Sequence, residues 1–177
     1  MKGIIVAIGL LAVLSVNAPA QSVEPRTRSL VDALKAEGSF TKLLELVSRT
    51  KMPELDGKAK EQITVFAPND AAFAKLSSEV LDGLNKNTEK RRKFLLSHIV
   101  KGKVMIEDML VPAPGEVPGR TLLKLSSFGG STISILCDLH KGEHHPRINL
   151  GASRIGKGDI VFSNGTIHEV DAVLAFK

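Results

Sequence analysis

The alternation of apolar and polar positions divides the chain into a helical first half and a strand-rich second half. In "SLVDALKAEG" a Ser29 cap precedes Leu30, Val31, Ala33 and Leu34, and Gly38 is a natural stop. A second helix, capped by Ser39, places Phe40, Leu43, Leu44 and Val47 at the i, i+3, i+4, i+7 spacing of one face. The period then changes. Ile63 to Phe66 reads as a short strand ended by Pro68, and Asn69 caps a helix with Asp70 in its first turn and Ala72, Phe73 and Leu76 facing inward. After a polar link, a helix from about Thr88 puts Phe94, Leu95, His98 and Ile99 on a common face and ends at Gly102. The stretch "VMIEDMLVPAPGEVPG" reads as a surface loop. Strands are expected near 122–125, 132–139, 147–150, 152–155, 160–162 and 166–176, with "FGG" and "NG" as turns and the Asn-Gly pair in a type I′ hairpin. Helices early and antiparallel strands late describe an α+β domain.

The N-terminal pattern stands apart from this scheme. Lys2, an apolar run from Ile4 to Leu14 and the small residues of "NAPAQS" form the layout of a secretory signal peptide, with cleavage expected before Gln21. The run is shorter than the ~20 apolar residues that span a bilayer, and no later segment reaches that length. Residues 1–20 are therefore expected to be removed. Residues 21–177 then suit a single domain, with its core at about 27–176, in a secreted, extracellular product.

Secretion gives weight to the single cysteine, since disulfide-dependent extracellular domains carry even sets. Cys137 alternates with Ile133, Ile135 and Leu139 on one strand face, which favours a buried thiol over an intermolecular bridge. The formal charge of +5 is basic without reaching that of a dedicated nucleic-acid binder, and it suits acidic matrix polymers. The densest basic stretch is "EKRRK". Its Lys90, Arg91, Arg92 and Lys93 form either a glycosaminoglycan-type patch or a solvated helix face.

Three segments, "TVFAPNDAAF" at 64–73, "LLSHIVKGKV" at 95–104 and "SNGTIHEVDAVL" at 163–174, resemble the signature of the fasciclin-type domain. The upstream "SLVDALKAEGSFTKLLELV" and the central "GGSTISI" and "RINLGASRI" are similar to that family as well. The resemblance implies a β-sandwich or wedge with flanking helices. It also implies an extracellular, non-enzymatic protein that binds a cell-surface or matrix protein. In adhesion members a tyrosine-histidine pair in the middle motif is associated with integrin binding, and here Ser97 precedes His98. The carried-over binding residues are Ser97, His98 and Ile99. The chain has no tyrosine or tryptophan with which to build a large aromatic interface.

The chemical alternatives are weaker. His140, His144 and His145 lie together around "KGEHHPR" and are the only metal candidates, with no spacing that fixes a geometry. His168 precedes Glu169 but lacks the second histidine of a zincin helix, and no nucleophile elbow, P-loop or dinucleotide motif is present. No cofactor and no catalytic residue is expected. His98 and His168 read as edge-of-core histidines that donate to buried carbonyls or carboxylates, with Asp70 and Asp171 as acceptors in one polar brace. Val104, Met105, Met109, Leu110 and Val111 leave open a carrier of a small hydrophobic ligand, lipid or pigment, beside ordinary core packing. Asn164-Gly165-Thr166 is a glycosylation sequon expected at a hairpin tip.

Overall fold

The computed structural model describes residues 28–55, 61–111, 120–138 and 147–174. The expected signal segment and the His140, His144 and His145 group lie outside these residues. Helix α1 (Leu30–Glu37) starts where the sequence places it, with Ser29 Oγ accepting from Asp32 N and Gly38 ending it at φ 75°. Helix α2 (Thr41–Ser48) is capped differently from expectation. Phe40 holds the N-cap position and makes no side-chain cap bond. The free N–H groups of Thr41 and Lys42 instead donate to the carboxylate of Asp70, at 3.1 and 2.8 Å. Strand β1 (Ile63–Pro68) runs into α3 (Asp70–Ala74), which Asn69 caps by accepting from Ala72 N.

Helix α4 (Ser78–Lys86) occupies the stretch expected as a polar link, because Ser77 caps it and Leu84 anchors it in the core. Helix α5 (Thr88–Ser97) stops short of Gly102. Its expected last turn is pulled out as strand β2 (Ile99–Lys101), whose β-branched residues pair antiparallel with β1. A further short helix, α6 (Ile106–Leu110), lies within the expected loop. Asp108 and Asp159 fix its start by accepting from Met105 N and Ile106 N. The remaining strands are β3 (Arg120–Ser126), β4 (Thr132–Asp138), β5 (Arg147–Leu150), β6 (Ser153–Arg154), β7 (Ile160–Phe162) and β8 (Gly165–Val170).

These strands form two four-stranded sheets, in the orders β2-β1-β8-β7 and β3-β4-β5-β6. The second is wholly antiparallel, whereas β1 and β8 pair in parallel, from Ile63 opposite Gly165 to Pro68 opposite Val170. Three layers result. One face of the first sheet, with Ile63, Val65, Phe162 and Ile167, packs on the helices through Leu34, Phe40, Phe73 and Phe94. Its other face, with Phe66, Val100 and Val170, packs on Ile133, Ile135, Cys137 and Leu150 of the second sheet and on Met109 of α6. A sheet covered on both sides needs apolar residues in succession, which is why every residue of "ITVFAP" is buried. The expected α+β class and sandwich hold, with this parallel pair as the addition.

The closing hairpin differs from expectation in its turn. Phe162 pairs with Gly165, so the two loop residues are Ser163 and Asn164 rather than Asn164 and Gly165. Neither has positive φ, so the turn is not type I′. Gly165 is needed for a different reason. A Cβ there would lie 1.9 Å from the carbonyl oxygen of Ile63 on the adjacent strand. Strand β8 also ends at Val170 rather than Phe176, because the chain turns off the sheet at Asp171.

Candidate functional site

The segment from α5 into β2 carries the three residues expected to form a binding surface, and all three side chains are buried: Ser97 and His98 at 2% exposure, Ile99 at 1%. This corrects the surface reading. Leu174 N donates to His98 Nε2 at 3.1 Å, so the ring proton sits on Nδ1, which donates to Phe94 O at 2.8 Å. Ser97 Oγ donates to the same carbonyl at 2.7 Å. The Phe94 ring lies over the imidazole at a centroid distance of 4.6 Å. Burial lowers the His98 pKa to about 4, with the hydrogen bond to Phe94 opposing that shift, so the ring is neutral at ordinary pH. His98 thus ties the end of α5 to the closing segment and presents nothing to a partner.

His168 does comparable work at another junction. Asp159 N donates to its Nδ1 at 3.3 Å, leaving Nε2–H to donate to Val104 O at 2.8 Å. Burial lowers its pKa against the opposing influence of that hydrogen bond and of the Asp159 carboxylate. The single brace expected from Asp70, His98, His168 and Asp171 is not formed. Asp70 caps α2, while Asp171 Oδ1 accepts from Arg154 N at 2.7 Å and its Oδ2 lies 3.9 Å from Lys75 Nζ. Both histidines donate to backbone carbonyls, while the carboxylate of Asp70 accepts from the start of α2 and that of Asp171 from β6.

The basic stretch on α5 is split by the helix. Lys90 and Lys93 are exposed, but Arg91 is only 5% exposed and drops out of any polyanion patch. Its Nε donates to Thr50 Oγ1, Nη1 to the carbonyls of Leu84 and Asn85, and Nη2 to Arg49 O and Thr88 Oγ1. The carbonyl ends of α2 and α4 point at the guanidinium, so two helix dipoles supply the negative potential that a carboxylate would otherwise give. Arg92 Nη1 donates to Lys51 O at 2.9 Å. Arg91 was legible after all: it stands three and four residues before Phe94 and Leu95 and seven before His98, on the apolar stripe.

Asn164 is also turned inward, at 8% exposure, and neither its Nδ2 nor its Oδ1 has a hydrogen-bond partner. A glycan on Nδ2 needs that atom outside, so the expected glycosylation at an open tip is corrected. Cys137 is buried between the sheets, as its strand face implies. Among the described residues no group of acidic, histidine or cysteine side chains is disposed to hold a metal. Met109 is buried in the core between α6 and the second sheet, and Val104 packs half-buried against the same cluster. The apolar cavity between α1, α2, β1 and α5 has a volume of about 10 Å³, room for one water. A groove at Thr132, Leu150 and Leu174 reaches about 230 Å³ and one between α2 and α4 about 100 Å³. Ligand chambers for small molecules run from ~300 to 1,000 Å³.

Comparison with known proteins places this geometry. A family model, the fasciclin domain, matches residues 29–176. Transforming growth factor-beta-induced protein ig-h3 of Sus scrofa is 27% identical over 151 residues, covering 83% of this chain and 20% of that protein, so the chain spans about a fifth of its length. Protein sll1735 of Synechocystis sp. is 26% identical over 146 residues, covering 82% of this chain and 96% of that one. Among solved structures, a FAS1 domain pair from the insect cell adhesion molecule fasciclin I is similar with a TM-score of 0.63 at 15% identity, over 84% of this chain and 51% of that one. With its three motif segments folded into one junction of helix, strand and closing hairpin, the chain belongs to the fasciclin domain family.

Proposed function

We propose that the chain is a secreted extracellular interaction module that binds a cell-surface or matrix protein without covalent chemistry. The carrying observation is the fasciclin domain itself, with spaces at the α1–α2 packing, between α2 and α4 and beside Leu150 that reach at most about 230 Å³, which favours binding on the outer surface. The name of the structural relative, a cell adhesion molecule, agrees with this reading. Burial of Ser97, His98 and Ile99 removes support for integrin recognition through those side chains. A carrier of lipid or pigment finds less support, since none of the three spaces described above reaches the size of a ligand chamber. Two measurements separate the readings. Immobilised ligand-free protein is expected to support attachment of adherent cells, and native mass spectrometry of the secreted product to give the mass of the polypeptide alone. A stoichiometric lipid or pigment, with no attachment, would reverse the choice.

A further inference from the structure

The hairpin between β7 and β8 holds the chain's single Asn-Gly pair, Asn164-Gly165. Asparagine before glycine is the pair best disposed to lose ammonia, because no side chain shields the glycine nitrogen from the asparagine amide carbon. In the folded domain that peptide is held from both sides. Asn164 O accepts from Ile63 N of β1 at 3.0 Å, and Gly165 pairs with Phe162 of β7. A Cβ at Gly165 would lie 1.9 Å from Ile63 O, so β1 is packed directly against the peptide that would have to turn for the reaction.

The same junction is poorly satisfied. Among the described residues, the buried side-chain polar atoms without a hydrogen-bond partner are Arg28 Nε and both amide atoms of Asn164. Ser163 N donates to Arg28 O at 2.8 Å, so these residues flank one contact between the hairpin and the segment entering α1. Burying an unpartnered amide costs free energy that hydration returns on opening, which makes this tip a favoured place for local opening. We propose that Asn164 is a deamidation site, guarded by the closed hairpin and uncovered when the hairpin opens. In the open state Gly165 N attacks Asn164 Cγ, the amide nitrogen leaves with the Gly165 proton as ammonia, and a cyclic imide remains. Water then opens the ring at one of its two carbonyls. The product is aspartate or, with the chain rerouted through Cβ and Cγ, isoaspartate. Neither fits the closed hairpin. Aspartate puts a charge where no donor meets Asn164 Oδ1, and isoaspartate adds a backbone atom just before Gly165 meets Ile63. The modification therefore records opening and disfavours reclosure.

The test uses the full chain secreted by a bacterial host, so that no glycan occupies the sequon, incubated in mildly alkaline buffer over a series of urea concentrations. Peptide mapping by mass spectrometry, with isoaspartyl methyltransferase labelling, follows residue 164. Deamidation of the native chain is expected to be slower than in denaturing urea by about tenfold or more. Urea below the global transition seen by circular dichroism should already raise the rate, the mark of local opening. Deamidated chains, separated by ion exchange, should refold with a lower urea midpoint than unmodified ones, and Asn164→Asp, made directly, should share that lower midpoint. Equal rates in native and unfolded chains overturn the guard, and absence of product in denaturing urea overturns the site. A rate that rises only with the global transition overturns the local opening. An unchanged midpoint after deamidation overturns the block on reclosure.

Discussion

Acidification should unfold this domain through His98 in a window set by its surroundings. The neutral ring accepts from Leu174 N and donates to Phe94 O, so a second proton on Nε2 has no acceptor and sits where water does not reach. The folded pKa of about 4 lies below the ordinary histidine value of 6.5. Between those two values the unfolded chain binds the proton and the folded chain does not, so stability falls as pH falls. The contribution is complete above the upper value and flattens below the lower one. At ~1.4 kcal/mol per unit, the difference amounts to about 3 kcal/mol, a large share of a small domain's stability. Urea unfolding followed by circular dichroism at about pH 7 and about pH 4.5 measures it, with His98→Gln as the control that keeps a donor and an acceptor. The wild type should lose roughly 2.5 kcal/mol more than the variant between the two conditions. His168 also has a lowered pKa and titrates in the same direction, but it is present in both proteins and cancels. Parallel pH dependences in the two proteins would refute the assignment of a buried neutral imidazole.

Arg91→Met keeps the apolar stem but leaves the carbonyls of Arg49, Leu84 and Asn85 short of a donor, and should cost about 3 kcal/mol in chemical denaturation. Arg91→Lys should recover less than half of that, because one ammonium does not span the ends of two helices. At the sequon, glycosidase treatment of the protein expressed through the secretory pathway of a eukaryotic host should leave its mass unchanged, since Asn164 Nδ2 is enclosed in the fold. A mass loss at that peptide would show that the hairpin tip opens.

The places where the sequence misleads share a physical cause. Local signals located Ser29, Gly38 and Asn69 at the helix ends because each makes its decisive bond within a few residues. Asp70 deceived in role because its carboxylate crosses to Thr41 and Lys42, a pairing that no spacing rule contains. The Ile99–Lys101 strand was hidden because helical periodicity continues through His98, and only the waiting edge of β1 decides that the chain leaves the helix there. The same competition governs function. A histidine in a family motif reads as a site until the chain closes over it, and here the closing element is a turn about thirty residues downstream whose glycine fits against Ser97. Because that roof is built from backbone bonds to Leu96 and Ile99, the motif fixes where the turn between β3 and β4 stands. The buried histidine then acts on the fold, holding the end of α5 to the closing segment through Phe94 O and Leu174 N, and its place in a family motif reflects that junction.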